Sequence, residues 1–179
     1  MKDNTKLIWK IDPGHSTVQF KVKHMAIANV SGNFGVFEGN AQCQNEDFEG
    51  AEINLEIDAD SLSTQNKERD DHLRSGIFFD VQQFPKLTFS GSLEKKNDDY
   101  ELAGDLTIRG ITRSIKLGAE FTGTGKGRFG DYRAGFELNG KINRKDFGLT
   151  WNMLTETGGL IVGEDIALHM DIELIKLDK

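Results

Sequence analysis

Apolar side chains recur at every second residue through most of this chain, and that spacing limits its fold more than any other feature. From Ser16 to His24 the alternation is unbroken: Ser16, Val18, Phe20, Val22 and His24 fall on one face, and His15, Thr17, Gln19, Lys21 and Lys23 on the other. A period of two is that of a half-buried strand, here with a wet, basic outer face. The run Gly32, Phe34, Val36 follows, and Phe37 breaks the parity. A β-bulge at that point would keep both rings on one side of a sheet. Ser16 and His24 put polar groups at the two ends of an apolar face. That arrangement suits a satisfied core position, and equally a ligand cavity that holds a polar head.

The same pattern returns downstream. Ala51, Ile53, Leu55, Ile57 and Ala59 share a face. So do Leu87, Phe89, Gly91 and Leu93, and then Tyr100, Leu102, Gly104, Leu106 and Ile108. A strand from Thr112 to Phe121, another through Ala134, Phe136, Leu138, Gly140 and Ile142, and a long final one through Ile166, Leu168, Met170, Ile172 and Leu174 complete the set. Gln44–Gly50 reads as a polar turn and Thr122–Asp131 as a glycine-rich loop. One segment departs from the pattern. Residues 61–75 (SLSTQNKERDDHLRS) predict a helix, with Ser63 or Thr64 as N-cap and Gly76 as its end. It is too polar for a core, and suits a crossover or lid lying on the rim of a sheet. The apolar cluster Ile77, Phe78, Phe79, Val81 and Phe84 would pin the following loop. The sum is an all-β chain of about eight antiparallel strands and one short helix, predicted as a single domain over residues 1–179. A barrel of eight strands is just wide enough to hold one small ligand.

Composition narrows the function. The formal net charge is −7, which argues against a nucleic-acid partner. The single cysteine, Cys43, allows no intramolecular disulfide, and no window approaches the ~20 apolar residues of a membrane helix. With no apolar stretch resembling a signal peptide near residue 1, a cytoplasmic location is expected. Twelve phenylalanines against two tyrosines supply apolar area without polar handles; they fit an ordinary core, or a cavity lined by rings.

Candidate chemistry is sparse. The loop GTGKGRFG at 123–130 is followed by a strand-like segment, so it lacks the helix that a dinucleotide fingerprint needs. His15, His24, His72 and His169 form no metal-ligand spacing, and no metal or other cofactor is expected. Arg69, Asp70, Asp71 and His72 are close enough for acid–base work, or form a solvated helix face. No serine sits in a nucleophile elbow, and Cys43 has no evident base. No catalytic residue is assigned. Arg144 and Asp146 continue the parity of the apolar run before them. They either satisfy each other or turn to water, or else Arg144 aims its guanidinium at an anionic or carbonyl head group.

The blocks WKIDPGHSTVQFKVKHM, VSGNFGVFEG, RDDHLRSGIFFDVQQFPKLTFSG, GDLTIRGITRSIKL, INRKDFGLTW and VGEDIALHMDIEL, in that order, resemble the YceI family of lipocalin-like, polyisoprenoid-binding proteins. The resemblance implies an eight-stranded antiparallel lipocalin-like barrel around a long apolar pocket, with a helical crossover or lid between strands. It also implies a carrier, store or scavenger of isoprenoid or similar lipid chains, such as prenyl phosphates, quinones or fatty amides, often as a homodimer, although many members carry a secretory leader. Carried onto this sequence, the pocket wall is Val18, Phe20, Val22, Phe34, Phe37, Phe89, Leu106, Ile108, Phe136, Leu138, Ile142 and Trp151, and the head-group contacts are His24, Arg69 and Arg144. Two rival expectations stand beside it: a lipid-modifying enzyme with His24 or His72 as base, and a structural or assembly module whose barrel is filled by its own side chains.

Overall fold

The computed structural model describes residues 6–153, 156–159 and 161–178. Eleven strands appear among them: β1 (Leu7–Ile11), β2 (Thr17–His24), β3 (Ala28–Phe34), β4 (Phe37–Cys43), β5 (Ala51–Asp58), β6 (Leu62–Ser63), β7 (Lys86–Lys96), β8 (Asp99–Ile108), β9 (Ile111–Lys126), β10 (Tyr132–Asn143) and β11 (Val162–Lys176). One helix, α1 (Lys67–Arg74), stands between β6 and β7. The strands pair antiparallel in the order β1-β4-β5-β7-β8-β9-β10-β11, and β11 pairs back onto β1. The ring is therefore a closed eight-stranded barrel, which leaves no free sheet edge around that circuit.

The remaining strands extend two walls of the barrel. β11 is long enough to pair with β1 at Leu174–Lys176 and with β2 from Val162 to Asp171 on the same side. β1 and β2 are thus one wall strand, interrupted by a short 3₁₀ turn at Pro13–His15. The break does not leave Glu173 unpaired: its N–H donates to Ser16 Oγ at 2.9 Å, and its carbonyl accepts from the Asp12 N–H at 2.9 Å. Ser16 is buried in this role. Likewise β3 pairs with β2 and β6, whereas β4 pairs with β1 and β5. The expected bulge between Phe34 and Phe37 is instead a strand break at Gly35–Val36. Both rings stay buried because the chain changes neighbours there.

One end is sealed by aromatic side chains. Trp9 and Phe48 are fully buried with ring centroids 4.9 Å apart, and Phe48 meets Phe136 at 5.1 Å. Phe121 lies 5.2 Å from Phe136. Phe48 comes from the segment expected to be a polar turn. Its backbone is left-handed (φ 57°), which swings the ring inward, and the Tyr100 hydroxyl donates to the Asp47 carbonyl beside it. The acids of that turn stay outside while its one ring closes the floor.

Two interior rings lie directly on glycines. A Cβ at Gly32 would sit 2.4 Å from the Phe20 ring, and one at Gly104 would sit 2.7 Å from the Phe89 ring. Gly91 and Gly104 face each other across β7 and β8. The sheet is bare at these points, and each ring occupies the space that a side chain there would need.

Candidate ligand-binding cavity

The barrel is not filled. It encloses a cavity of about 580 Å³, within the usual range for small-molecule sites. The filled-interior expectation is therefore corrected. The wall is apolar: Val18, Phe20, Val22, Phe34, Phe89, Leu106, Ile108, Phe136, Leu138, Ile142 and Trp151 all line it. Phe37 does not. It is buried at the start of β4, but the chain turns at Gly35–Val36 and its ring packs into the core outside the lining. Sequence reasoning missed several contributors. Leu73, Phe78 and Phe79 come from α1 and the segment after it, and Phe48 from the floor. Leu168, Met170 and Ile172 of β11 share the parity that named the other walls, a signal present in the sequence but not used.

Burial grades along β2. Val18 is buried, Phe20 and Val22 are half-buried, and His24 is exposed. With Trp9 and Phe48 sealing the far end, the cavity opens where β2 ends, beside α1. The exposed lining residues there are Lys23, His24, Asn66 and Glu68. A deep apolar shaft with a polar rim is the geometry of a site that takes a chain tail-first and leaves a head near water.

The helix covering this rim is short and has little apolar surface, so its own backbone does not hold it. Contacts to residues 60–66 fix it. The N-cap is Asn66, whose Oδ1 accepts from Arg69 N–H at 3.0 Å; Ser63 and Thr64 do not cap it. Thr64 is taken by Asp70, whose Oδ1 accepts from the Thr64 N–H at 2.8 Å and from its hydroxyl at 2.5 Å. Arg69 donates to Thr64 Oγ1 at 2.7 Å and to the Thr64 carbonyl at 3.0 Å. Arg74 donates to the carbonyls of Asp60, at 3.0 Å, and Leu62, at 2.5 Å. The helix ends at Arg74 with Ser75 rather than Gly76 as its cap. Of the expected solvated face, Asp71 alone behaves so, paired with Lys67 at 2.6 Å. Asp70 is buried and Arg69 is committed.

Arg144 is also committed. Asn143 Oδ1 accepts from the Lys145 N–H at 2.9 Å and starts a 3₁₀ turn, so β10 ends before Arg144 and the expected parity stops there. The guanidinium turns inward and is almost wholly buried. It donates to the carbonyls of Gly163 (2.8 Å), Leu149 (2.5 Å), Trp151 (2.9 Å) and Val162 (3.3 Å). Burial lowers its pKa from the ordinary arginine value. Asp146 is exposed; the two do not pair. Arg144 borders the cavity as the post that holds the segment carrying Trp151 against the barrel.

The histidines differ. His72 stands edge-on to Trp151 at 4.8 Å and to Phe78 at 5.4 Å. Its side chain and that of His24 make no hydrogen bond among the described residues. His15 meets Asp12 at 2.7 Å, and His169 lies near Asp171 and Glu137. These last two histidines each belong to a group with two acids whose ligand atoms lie within 4.8 Å of one another, an association of strands that linear spacing did not show. In the first group Arg133 already fills the cationic role, at 2.9 Å from Asp12 and in contact with Glu173.

Residues 9–174 match the family model described as YceI-like domain. The chain belongs to that family. A UPF0312 protein of Pectobacterium atrosepticum is 36% identical over 163 residues, spanning 90% of this chain and 82% of the relative. The YceI protein of Campylobacter jejuni superposes with a TM-score of 0.72 at 34% identity, over 87% of this chain and 90% of that one. A polyisoprenoid-binding domain from Saccharophagus degradans, implicated in plant cell wall breakdown, shares the fold with a TM-score of 0.67 at 14% identity, covering 94% of this chain and 98% of the other. The cavity is thus set in a YceI barrel, with a floor made by Trp9 and Phe48 and a rim made by β2 and α1.

Proposed function

We propose that this YceI-family protein binds a long-chain isoprenoid or similar lipid in its barrel and acts as a carrier, store or scavenger. The observation that carries the reading is the overwhelmingly apolar shaft of about 580 Å³, sealed at one end and with its exposed polar residues at the rim. At ~30 Å³ per water-sized group, that volume takes on the order of 20 chain carbons. Burying ten methylenes contributes about 8 kcal/mol, near the free energy of micromolar binding before ordering costs. Apolar contact alone can therefore hold such a chain. The head remains at the rim, where His24 has no hydrogen-bond partner among the described residues, whereas Arg69 and Arg144 are occupied by protein carbonyls and hydroxyls. Wall specificity of this kind tolerates prenyl phosphates, quinones and fatty amides alike.

A hydrolytic or isomerising role with His24 or His72 as base needs a second group converging on the histidine. His72 is instead flanked by two aromatic rings, and His24 stands at the exposed rim. Assembly as a homodimer and residence in the cytoplasm belong to the same proposal. Native mass spectrometry of freshly purified protein, followed by organic extraction, tests the central reading and the dimer together. A discrete long-chain adduct released on denaturation supports it. A bare mass, joined to failure of the neutral apolar dye N-phenyl-1-naphthylamine to bind, removes it.

A further inference from the structure

The turn that joins β2 to β3 stands at the cavity mouth and presents apolar side chains to water. Ile27 is 81% exposed, Met25 43% and Met153 55%. They form one rim: the Met25 N–H donates to the Ile161 carbonyl at 2.8 Å, and the Ile161 N–H donates to the Met153 carbonyl at 3.0 Å. The turn itself is held in an unfavourable conformation. Met25 and Ala26 are both left-handed, at φ 51° and 59°, where asparagine and glycine are the favoured pair. Strain and apolar exposure coincide at one place, which points to a use for the side chains it displays.

The wall beside this tip is cationic. Lys141, Ala167 and Lys21 form one row across β10, β11 and β2 on the outer face, and Lys23 lies one outward position further toward the tip. These three lysines are exposed and make no ion pair among the described residues. The acids at this end are Glu164, held by Lys145 at 2.5 Å, Asp165, and Glu68 of α1 across the mouth, against those three lysines. The chain as a whole carries −7, so an anionic surface repels most of the molecule. It attracts this end, with the mouth leading.

We infer that the Met25–Ile27 tip, with Met153 and the lysine row, docks the cavity mouth onto an anionic lipid bilayer. Apolar side chains enter the interface while lysines meet the phosphates, the two contributions that hold peripheral proteins at membranes. The inference rests on the cavity taking an apolar chain, because the bilayer is where such a chain dissolves. Docking at the mouth spares the chain a passage through water.

The test is flotation of the full-length protein with vesicles of phosphatidylcholine alone and of phosphatidylcholine with phosphatidylglycerol at a ratio of about 3:1, chosen to set a negative surface. Expected is binding to the anionic vesicles that weakens with salt. It falls about fivefold for each charge lost, as in Lys21→Gln and Lys141→Gln, and is abolished in Ile27→Asp. Uptake of N-phenyl-1-naphthylamine without vesicles is read in parallel and stays unchanged in all three variants, since none of those residues lines the cavity. Absence of wild-type binding to anionic vesicles overturns the inference, as does Ile27→Asp binding as well as wild type. If Ile27→Asp instead converts a dimer to a monomer by light scattering, with vesicle binding intact, the tip faces a second copy and the inference is wrong. Failure of dye uptake with vesicle binding intact would remove the ligand reading and leave the docking in place.

Discussion

Arg144 brings a positive charge into a buried site where, among the described residues, no carboxylate comes within ion-pairing distance. It is tolerated because four carbonyls converge on it, and bonds from a charged donor are worth more than neutral ones. Replacing it removes the charge but strands those carbonyls. Arg144→Met should therefore lower stability by about 3 kcal/mol, read as a lower midpoint in urea, and should loosen the segment carrying Trp151. Phe20→Asp acts differently. Phe20 is half-buried on the wall, so a folded protein is expected, with dye or lipid uptake sharply reduced by a charge placed against the chain. Unchanged uptake in a folded Phe20→Asp protein would move the ligand elsewhere. Neither residue's role was equally legible. The alternation of β2 assigns Phe20 to the interior without any structure. Arg144 misled, because a strand's parity carries no notice of where the strand stops, and the deciding contact was an asparagine side chain reaching the Lys145 N–H.

Among the elements, the strands were legible and the connections were not. A two-residue period records which face is wet, so β5, β7, β8, β10 and β11 follow from it directly. Helix α1 was placed correctly but capped wrongly, since Ser63, Thr64 and Asn66 are all competent caps and only the burial of Asp70 takes Thr64 out of contention. Phe48 gave no signal at all: one ring among acids has no period. Two predictions belong here. Asp70→Ala should uncouple α1 from Thr64, speeding amide exchange in 64–74 while the barrel strands stay protected. Gly104→Val should destabilise by about 1–3 kcal/mol, because its Cβ would meet the Ser90 carbonyl at 2.4 Å and the Phe89 ring at 2.7 Å. A calorimetric midpoint checks the second.

For the whole molecule, charge is divided between the barrel's ends. Near the sealed end Arg133 gathers Asp12, Asp131 and Glu173. Asp12 is held below the usual carboxyl range by His15 and Arg133, and Asp131 by Arg133. Folded values below the unfolded ones mean that these groups add stability above about pH 4 and lose it as pH falls through the folded pKa values. Stability should drop on acidification below that point, and Arg133→Met should flatten the decline, measured by urea midpoints between about pH 2 and 6. Closure of the ring has a consequence of another kind. β1 finds its second neighbour in Leu174–Lys176, which emerges from the ribosome some ten to thirty seconds later at ~5–20 residues per second. Through that interval the nascent barrel is an open sheet with two unpaired edges and an exposed greasy lining, and a chaperone that shields it need act only until the last strand is released.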